Sequence, residues 1–277
     1  MKISVIVPAY NEEEAIERTV SVLSGYLDSN FDDFEIVVVS DGSRDRTFEL
    51  AQKYQSESVK VFEYQPNRGK GHALKYGFSK SCGDLVVFYD TGIDFPPSQI
   101  GDFVQLLQKT DANLVIGSKR HPQSKVNYPL VRRLVSFGAQ SLVKILFNLS
   151  VTDTQVGLKV FRRKVLDEIM PRIVVRRFAF DIELLALAQH YGFEIIEAPV
   201  NLDLKLSTAL NFVGGNAIWK ILIDTFAIFY RLKIMGFYDK SGEERKRLIR
   251  EYRTTPWDRV VSVASRILRV NSSHEKS

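Results

Sequence analysis

The stretch VVFYDTGIDFPP, Val86 to Pro97, sets two carboxylates close together at the end of an apolar run. Leu85 to Tyr89 are apolar, the run stops at Asp90, and Gly92 and Asp94 follow. A carboxylate in this position can cap a helix, shape a turn or ligate a hard cation. Taken alone, capping or turn duty is the simpler reading. The second carboxylate on the same loop adds the metal reading, because Mg2+ and Mn2+ reach substrate phosphates through one or two carboxylates. Two other short stretches carry chemistry-bearing side chains. SDGSRD ends a second apolar run on Asp41, with Ser43 or Asp45 placed to cap the helix that follows. NRGKGH is a glycine-rich turn in which Lys70 and a helix N-terminus can meet a phosphate, or serve only as a turn. Its spacing is neither that of a Walker loop nor that of the dinucleotide fingerprint.

These residues need elements to hold them. ISVIVPA, FEIVVVSD, VKVFEY, DLVVFYD and ANLVIGS read as short, mostly apolar strands, and the segments between them have helical periodicity. Asn11 stands as N-cap of the first helix, with glutamates in its first turn. Strands alternating with helices at this spacing predict an α/β fold with a mainly parallel sheet covered on both faces. In such sheets ligands bind beyond the carboxyl ends of the strands. Pro8–Glu12, Ser40–Ser43, Asp90–Asp94 and Gly117–Arg120 should therefore share one rim.

The 277 residues suffice for one large domain or two small ones. The single cysteine, Cys82, excludes an intramolecular disulfide framework and leaves an intracellular compartment as the simple expectation. The four histidines show no metal-binding spacing. Net charge is +5, with basic residues gathered toward the C-terminus. That excess suits anionic lipid, nucleic acid or phosphorylated substrates, or merely a solvated tail. Nucleic acid is disfavoured, because the basic residues are not interleaved with stacking aromatics. No signal peptide is expected at MKISVIVPAY, and no stretch reaches the roughly 20 apolar residues of a spanning helix.

Together, VIVPAYNEEEAI, EIVVVSDGSRDRT, NRGKGHALKYG and GDLVVFYDTGIDFPP resemble the nucleotide-sugar half of family 2 glycosyltransferases. VIGSKR, YPLVRRLVSFGAQSL, VTDTQVGLKVFRRKVL and RFAFDIELLALAQHYGFEIIEAPV resemble its polyprenyl-phosphate branch, the dolichyl-phosphate mannose synthases and glucosyltransferases. The resemblance implies a GT-A fold and a nucleotide-diphosphate-sugar donor. Pro8, Ala9, Tyr10 and Glu12 would line the base and ribose pocket, Asp41 would contact the base, Lys70 would meet the diphosphate, and Asp90 would hold Mg2+ or Mn2+ on it. The family pattern is Asp-x-Asp followed by a polar residue. This chain has Gly92 at the second Asp and Asp94 at the polar position, so Asp94 is the expected second ligand.

The same resemblance gives Lys119, Arg120, Arg132 and Ser136 to the acceptor phosphate, and Asp181 to the role of base if one is needed. Asp153 and Gln155 would lie on a loop beside that site. A basic helix face alone would explain the arginines equally. Residues 1–210 are expected to form the catalytic domain, 211–239 amphipathic helices in a membrane interface, and 240–277 a charged tail. Trp219, Phe229, Tyr230 and Tyr238 would sit at headgroup level. The expected reaction is inverting transfer of mannose from GDP-mannose, or glucose from UDP-glucose, to a polyprenyl (dolichyl) phosphate at the cytoplasmic face of a membrane. The alternatives are a family 2 enzyme acting on a saccharide, and a catalytically silent protein that binds nucleotide sugar.

Overall fold

β1 (Ile3–Ala9) and β2 (Phe34–Asp41) are almost wholly inaccessible to solvent along their length. That is why their sequences read as continuous β-branched runs with no polar alternation: helices cover both faces. Each Val or Ile so buried contributes roughly 1.5–3 kcal/mol. A computed structural model of the chain describes residues 1–92, 95–126, 142–177, 179–202 and 215–252. Asp94, Arg132 and Ser136 lie outside the described residues, as do 211–214 of the expected interface segment and 253–277 of the expected tail.

The chain separates into two compact units, Met1–Phe212 and Val213–Ser277. In the first, β1, β2, β3 (Val59–Tyr64), β4 (Leu85–Phe88), β5 (Leu114–Ser118), β7 (Lys159–Arg162) and β8 (Ile195–Pro199) form a seven-stranded sheet in the order β3-β2-β1-β4-β7-β5-β8. All neighbours are parallel except β7, which runs antiparallel to both β4 and β5. β6 (Lys125–Val126) and β9 (Asn201–Leu202) make a separate small parallel pair. The helices are α1 (Ile16–Asn30), α2 (Thr47–Gln52), α3 (Lys70–Lys80), α4 (Ser98–Lys109), α5 (Arg163–Ile169) and α6 (Phe180–His190), with a short helix over 142–147. α1 buries Ile16, Val20, Leu23 and Leu27 against the sheet, the stripe that its periodicity predicts.

The chain winds outward from β1 through β2 to β3, then returns on the other side of β1 as β4. The crevice between the carboxyl ends of β1 and β4 is the switch point at which an open α/β sheet binds ligands. The expected rim is present: Ala9 is level with Ser40, Asp41 with Tyr64, and Ile6 with Phe88.

Asn11 does not cap α1. The helix begins five residues later, and Asn11, at φ 55°, instead accepts a hydrogen bond from Arg44 N on its side-chain oxygen. Glu12 N donates to Thr47 Oγ1 and Glu13 N to Asp45. The loop after β1 is thereby stitched to the loop after β2. Asp45 also accepts from Thr47 N at the start of α2, the helix-start duty expected of Ser43 or Asp45.

At the opposite rim, Glu35 is fully buried yet well served. It accepts from Ser4 Oγ at 2.7 Å and Cys82 N at 2.6 Å, and Lys60 Nζ lies 2.7 Å away. Burial opposes its ionisation, but the bonds from Lys60, Cys82 and Ser4 outweigh it and pull the carboxyl down to about 2. This cluster ties β1, β2, β3 and the approach to β4 together.

In the second unit, α7 (Gly215–Phe229) runs into a π-helical turn, Tyr230–Ile234, and α8 (Gly242–Tyr252) follows. Phe226, Tyr230 and Ile234 recur every fourth residue and are exposed. Tyr238, expected at headgroup level, is instead buried, and Arg231 Nε donates to its hydroxyl at 3.0 Å. Among the described residues no helix is long and apolar enough to cross a membrane.

Candidate active site

Asp90 reaches the rim because the chain around it is pinned. Tyr89 is fully buried and donates its hydroxyl to the Phe95 carbonyl, Thr91 Oγ1 donates to the Pro8 carbonyl at 2.7 Å, and Gly92 N to Thr19 Oγ1 at 3.2 Å. Gly92 has φ +107°, a conformation that side-chain-bearing residues rarely adopt. The loop therefore requires glycine where the family pattern has its second Asp. Behind Asp90 stands Gly157, where an added Cβ would come within 2.3 Å of Asp90 Oδ2.

The partner of Asp90 is Lys70. Its ammonium lies 2.7 Å from Oδ1 and 2.7 Å from Oδ2, at the first residue of α3. Burial works against the charged ammonium, but the Asp90 and Asp181 carboxylates together overcome it and hold the Lys70 pKa above the usual lysine value.

Asp41 fixes the approach to α3. Its buried carboxylate accepts from Tyr64 Oη at 2.7 Å, Arg68 N at 2.8 Å, Asn67 Nδ2 at 3.0 Å and Gly69 N at 2.8 Å. These bonds give Asp41 the work of shaping the 65–69 turn. Burial and this carboxylate push the Tyr64 hydroxyl well above its ordinary range. Gly69, at φ +97°, lets the turn pass the Arg176 carbonyl, which would lie 2.6 Å from a Cβ. Burial and the nearby Arg68 and Arg176 guanidinium groups lower the His72 pKa, marking this side of the rim as cationic.

Asp181 lies at the start of α6, whose first turn meets that of α3: a Cβ on Gly71 would be 2.6 Å from Phe180. Its carboxylate is buried and accepts from Lys159 Nζ at 2.7 Å, and Lys159 itself is only 1% exposed. The residue expected as a base is thus half of a buried ion pair. Lys159 opens β7, level with Phe88 on one side and Ile116 on the other.

Across the rim, Asp153 is fully buried and accepts from Lys119 N at 3.1 Å and Gln155 N at 3.2 Å, with Lys119 Nζ 3.7 Å away. Arg120 is half-buried, and its backbone N–H donates to Ser118 Oγ at 3.3 Å. Tyr10 is exposed, Glu12 and Pro8 half-buried and Ala9 buried, all on the loop that closes β1. The structure thus gathers Pro8, Ala9, Tyr10, Glu12, Asp41, Lys70, Asp90, Lys119, Arg120 and Asp181 along the carboxyl ends of the strands.

Among the described residues no three His, Cys, Asp or Glu side chains form a metal cluster. One partly exposed carboxylate, Asp90, fits a hard cation that shares its remaining ligands with a diphosphate and water, rather than one caged by protein alone.

Lys159 escaped the sequence reading. Its signal was a single charge inside the apolar run VGLKVF, which no solvated strand face explains.

The sequence profile described as Glycosyl transferase family 2 matches residues 4–170. Dolichyl-phosphate beta-glucosyltransferase of Homo sapiens is 33% identical over 216 residues, 72% of this chain and 67% of that protein. The enzyme of the same name from Dictyostelium discoideum is 32% identical, over 72% of this chain and 65% of its own length. Glycosyltransferase AglD of Haloferax volcanii is 30% identical over 77% of this chain, but only 35% of its own length is spanned. Among solved structures, glucosyl-3-phosphoglycerate synthase from Mycobacterium tuberculosis, in complex with Mn2+, uridine diphosphate and phosphoglyceric acid, superposes with a TM-score of 0.64. It is 21% identical and covers 83% of this chain and 77% of that one. The shared architecture is the GT-A fold. With its profile matched over more than half its length and relatives above 30% identity, the chain belongs to glycosyl transferase family 2.

Proposed function

We propose that the protein transfers glucose from UDP-glucose to a polyprenyl phosphate of the dolichyl type, with inversion, at the cytoplasmic face of a membrane. The observation that carries this reading is the Lys70–Asp90 pair at the switch point of the sheet, beside the N-terminus of α3. The names of the relatives favour glucose over mannose and a lipid phosphate over a saccharide.

The donor's base and ribose would lie along Pro8, Ala9, Tyr10 and Glu12, against the wall that Asp41 shapes. Asp90, with Asp94 as a second carboxylate, would hold Mg2+ or Mn2+. When bound, that cation neutralises part of the diphosphate charge. Lys70 and the N-terminus of α3 supply positive potential where the leaving diphosphate gains negative charge. A phosphate oxygen of the lipid attacks the anomeric carbon from the face opposite the diphosphate. The carbon–oxygen bond to the diphosphate breaks, and its electron pair leaves with UDP. The acceptor phosphate is already ionised, so no base has to take a proton, in keeping with Asp181 being engaged by Lys159. Lys119 and Arg120, with Arg132 and Ser136, would hold that phosphate by charge-assisted hydrogen bonds.

The positive φ of Gly92 supports a working enzyme over a silent one, since the glycine answers a backbone requirement. For membrane attachment the support is the exposed series Phe226, Tyr230 and Ile234 with exposed Lys233 beside it.

Incubation with dolichyl phosphate, Mg2+ or Mn2+, and either radiolabelled UDP-glucose or radiolabelled GDP-mannose tests the reading directly. Label from UDP-glucose should pass into organic solvent. Transfer from GDP-mannose alone, or transfer only to soluble saccharides, would overturn it.

A further inference from the structure

Lys159 is the most deeply buried cation described at the rim, and the reaction as derived gives it no task. Its ammonium has two partners on two different segments. It donates to Asp181 Oδ1 at 2.7 Å, and it donates to the carbonyl of Val156. Each partner adjoins one half of the Lys70–Asp90 pair. Asp181 follows Phe180, which packs against Gly71, the neighbour of Lys70. Val156 precedes Gly157, which stands directly against the Asp90 carboxylate with no room for a Cβ. Register adds a third tie, because Lys159 is level with Phe88, two residues before Asp90.

We propose that Lys159 is a positioning residue for the donor diphosphate, holding Asp181 behind Lys70 and the 153–157 loop behind Asp90. This inference rests on the donor reading above. Two ion pairs, Asp90–Lys70 and Asp181–Lys159, are brought together where Gly71 of α3 packs on Phe180 of α6. A buried pair such as Asp181–Lys159 is costly to break from one side. Removing one partner of a buried ion pair leaves an uncompensated charge, whereas replacing both by apolar residues of similar volume is often neutral. That asymmetry separates positioning from folding.

The test compares binding of UDP, by calorimetry with Mg2+, and of uridine, by NMR, to the full-length chain. Wild type should bind UDP much more tightly than uridine; equal affinities would sink the donor reading itself. The double variant Lys159→Met/Asp181→Leu should fold, with its thermal midpoint near that of wild type. It should bind uridine within about twofold of wild type but UDP about tenfold more weakly, roughly 1.4 kcal/mol. Asp181→Asn alone leaves the buried Lys159 ammonium without its counter-ion, so it should lower the thermal midpoint as well as UDP affinity, which the double variant should not. If UDP binds the folded double variant as tightly as wild type, Lys159 positions nothing. If uridine and UDP are lost in equal proportion, its role is structural only, and the inference falls.

Discussion

Lys70 Nζ sits equidistant from the two oxygens of Asp90, 2.7 Å from each. A single ammonium thus spans the carboxylate that the proposed metal would use. A metal ion held there would compete with the lysine for one anion, and a bound diphosphate would give both a partner.

Replacing Lys70 by Met should therefore have opposite effects on two ligands. Mn2+ alone should bind more tightly, because Asp90 is released, and UDP should bind about tenfold more weakly or worse. Titration of Mn2+ with and without UDP checks both. Unchanged Mn2+ affinity would show that the pair does not guard Asp90.

Asp90→Asn should lower kcat for lipid-linked transfer by about a hundredfold or more, the scale of losing one electrostatic contact to a developing charge. Stability should change little, since the side chain is one-third exposed. Rate measurements at saturating donor would decide, and a near-normal kcat would remove Asp90 from the site.

Gly92→Asp would restore the family's usual pattern, but at φ +107° it should destabilise the protein by about 1–3 kcal/mol. The expected result is a lower thermal midpoint with no gain in metal affinity. A stable variant that bound Mn2+ more tightly would show that the loop adapts.

Glu35 predicts an acid limit to stability. Its folded value, about 2, is below the ordinary 4.5. Its contribution is then fully present above pH 4.5 and is lost as pH falls toward 2, up to about 3 kcal/mol in all. Denaturant unfolding across that window should show the decline, and Glu35→Gln should flatten it while lowering stability at neutral pH. An equal pH slope in the variant would assign the decline to other carboxylates.

Much of the rim was legible because strand ends are local features. An apolar run that stops on Asp41 or Asp90 already says where the rim is, and the periodicity of α1 says which face is covered. Asn11 misled because its residue type suits a helix cap, whereas the competing bond to Arg44 N comes from a loop 33 residues away. Lys159 and its partner Asp181 are 22 residues apart, on a strand and a helix that only the tertiary fold brings together. The reversal of β7 was equally invisible. A four-residue strand carries no sign of its direction, which is set by the edges of β4 and β5 that it fills.

That reversed strand bears on how the molecule is made. β4 and β5 share no ladder with each other; each pairs with β7, whose residues follow β5 by about forty positions in the chain. During synthesis one flank of β4 must wait, open, until residue 162 has left the ribosome. An unpaired hydrophobic strand flank invites association with other chains. The centre of the sheet, rather than its periphery, is thus where the nascent protein is most exposed to aggregation.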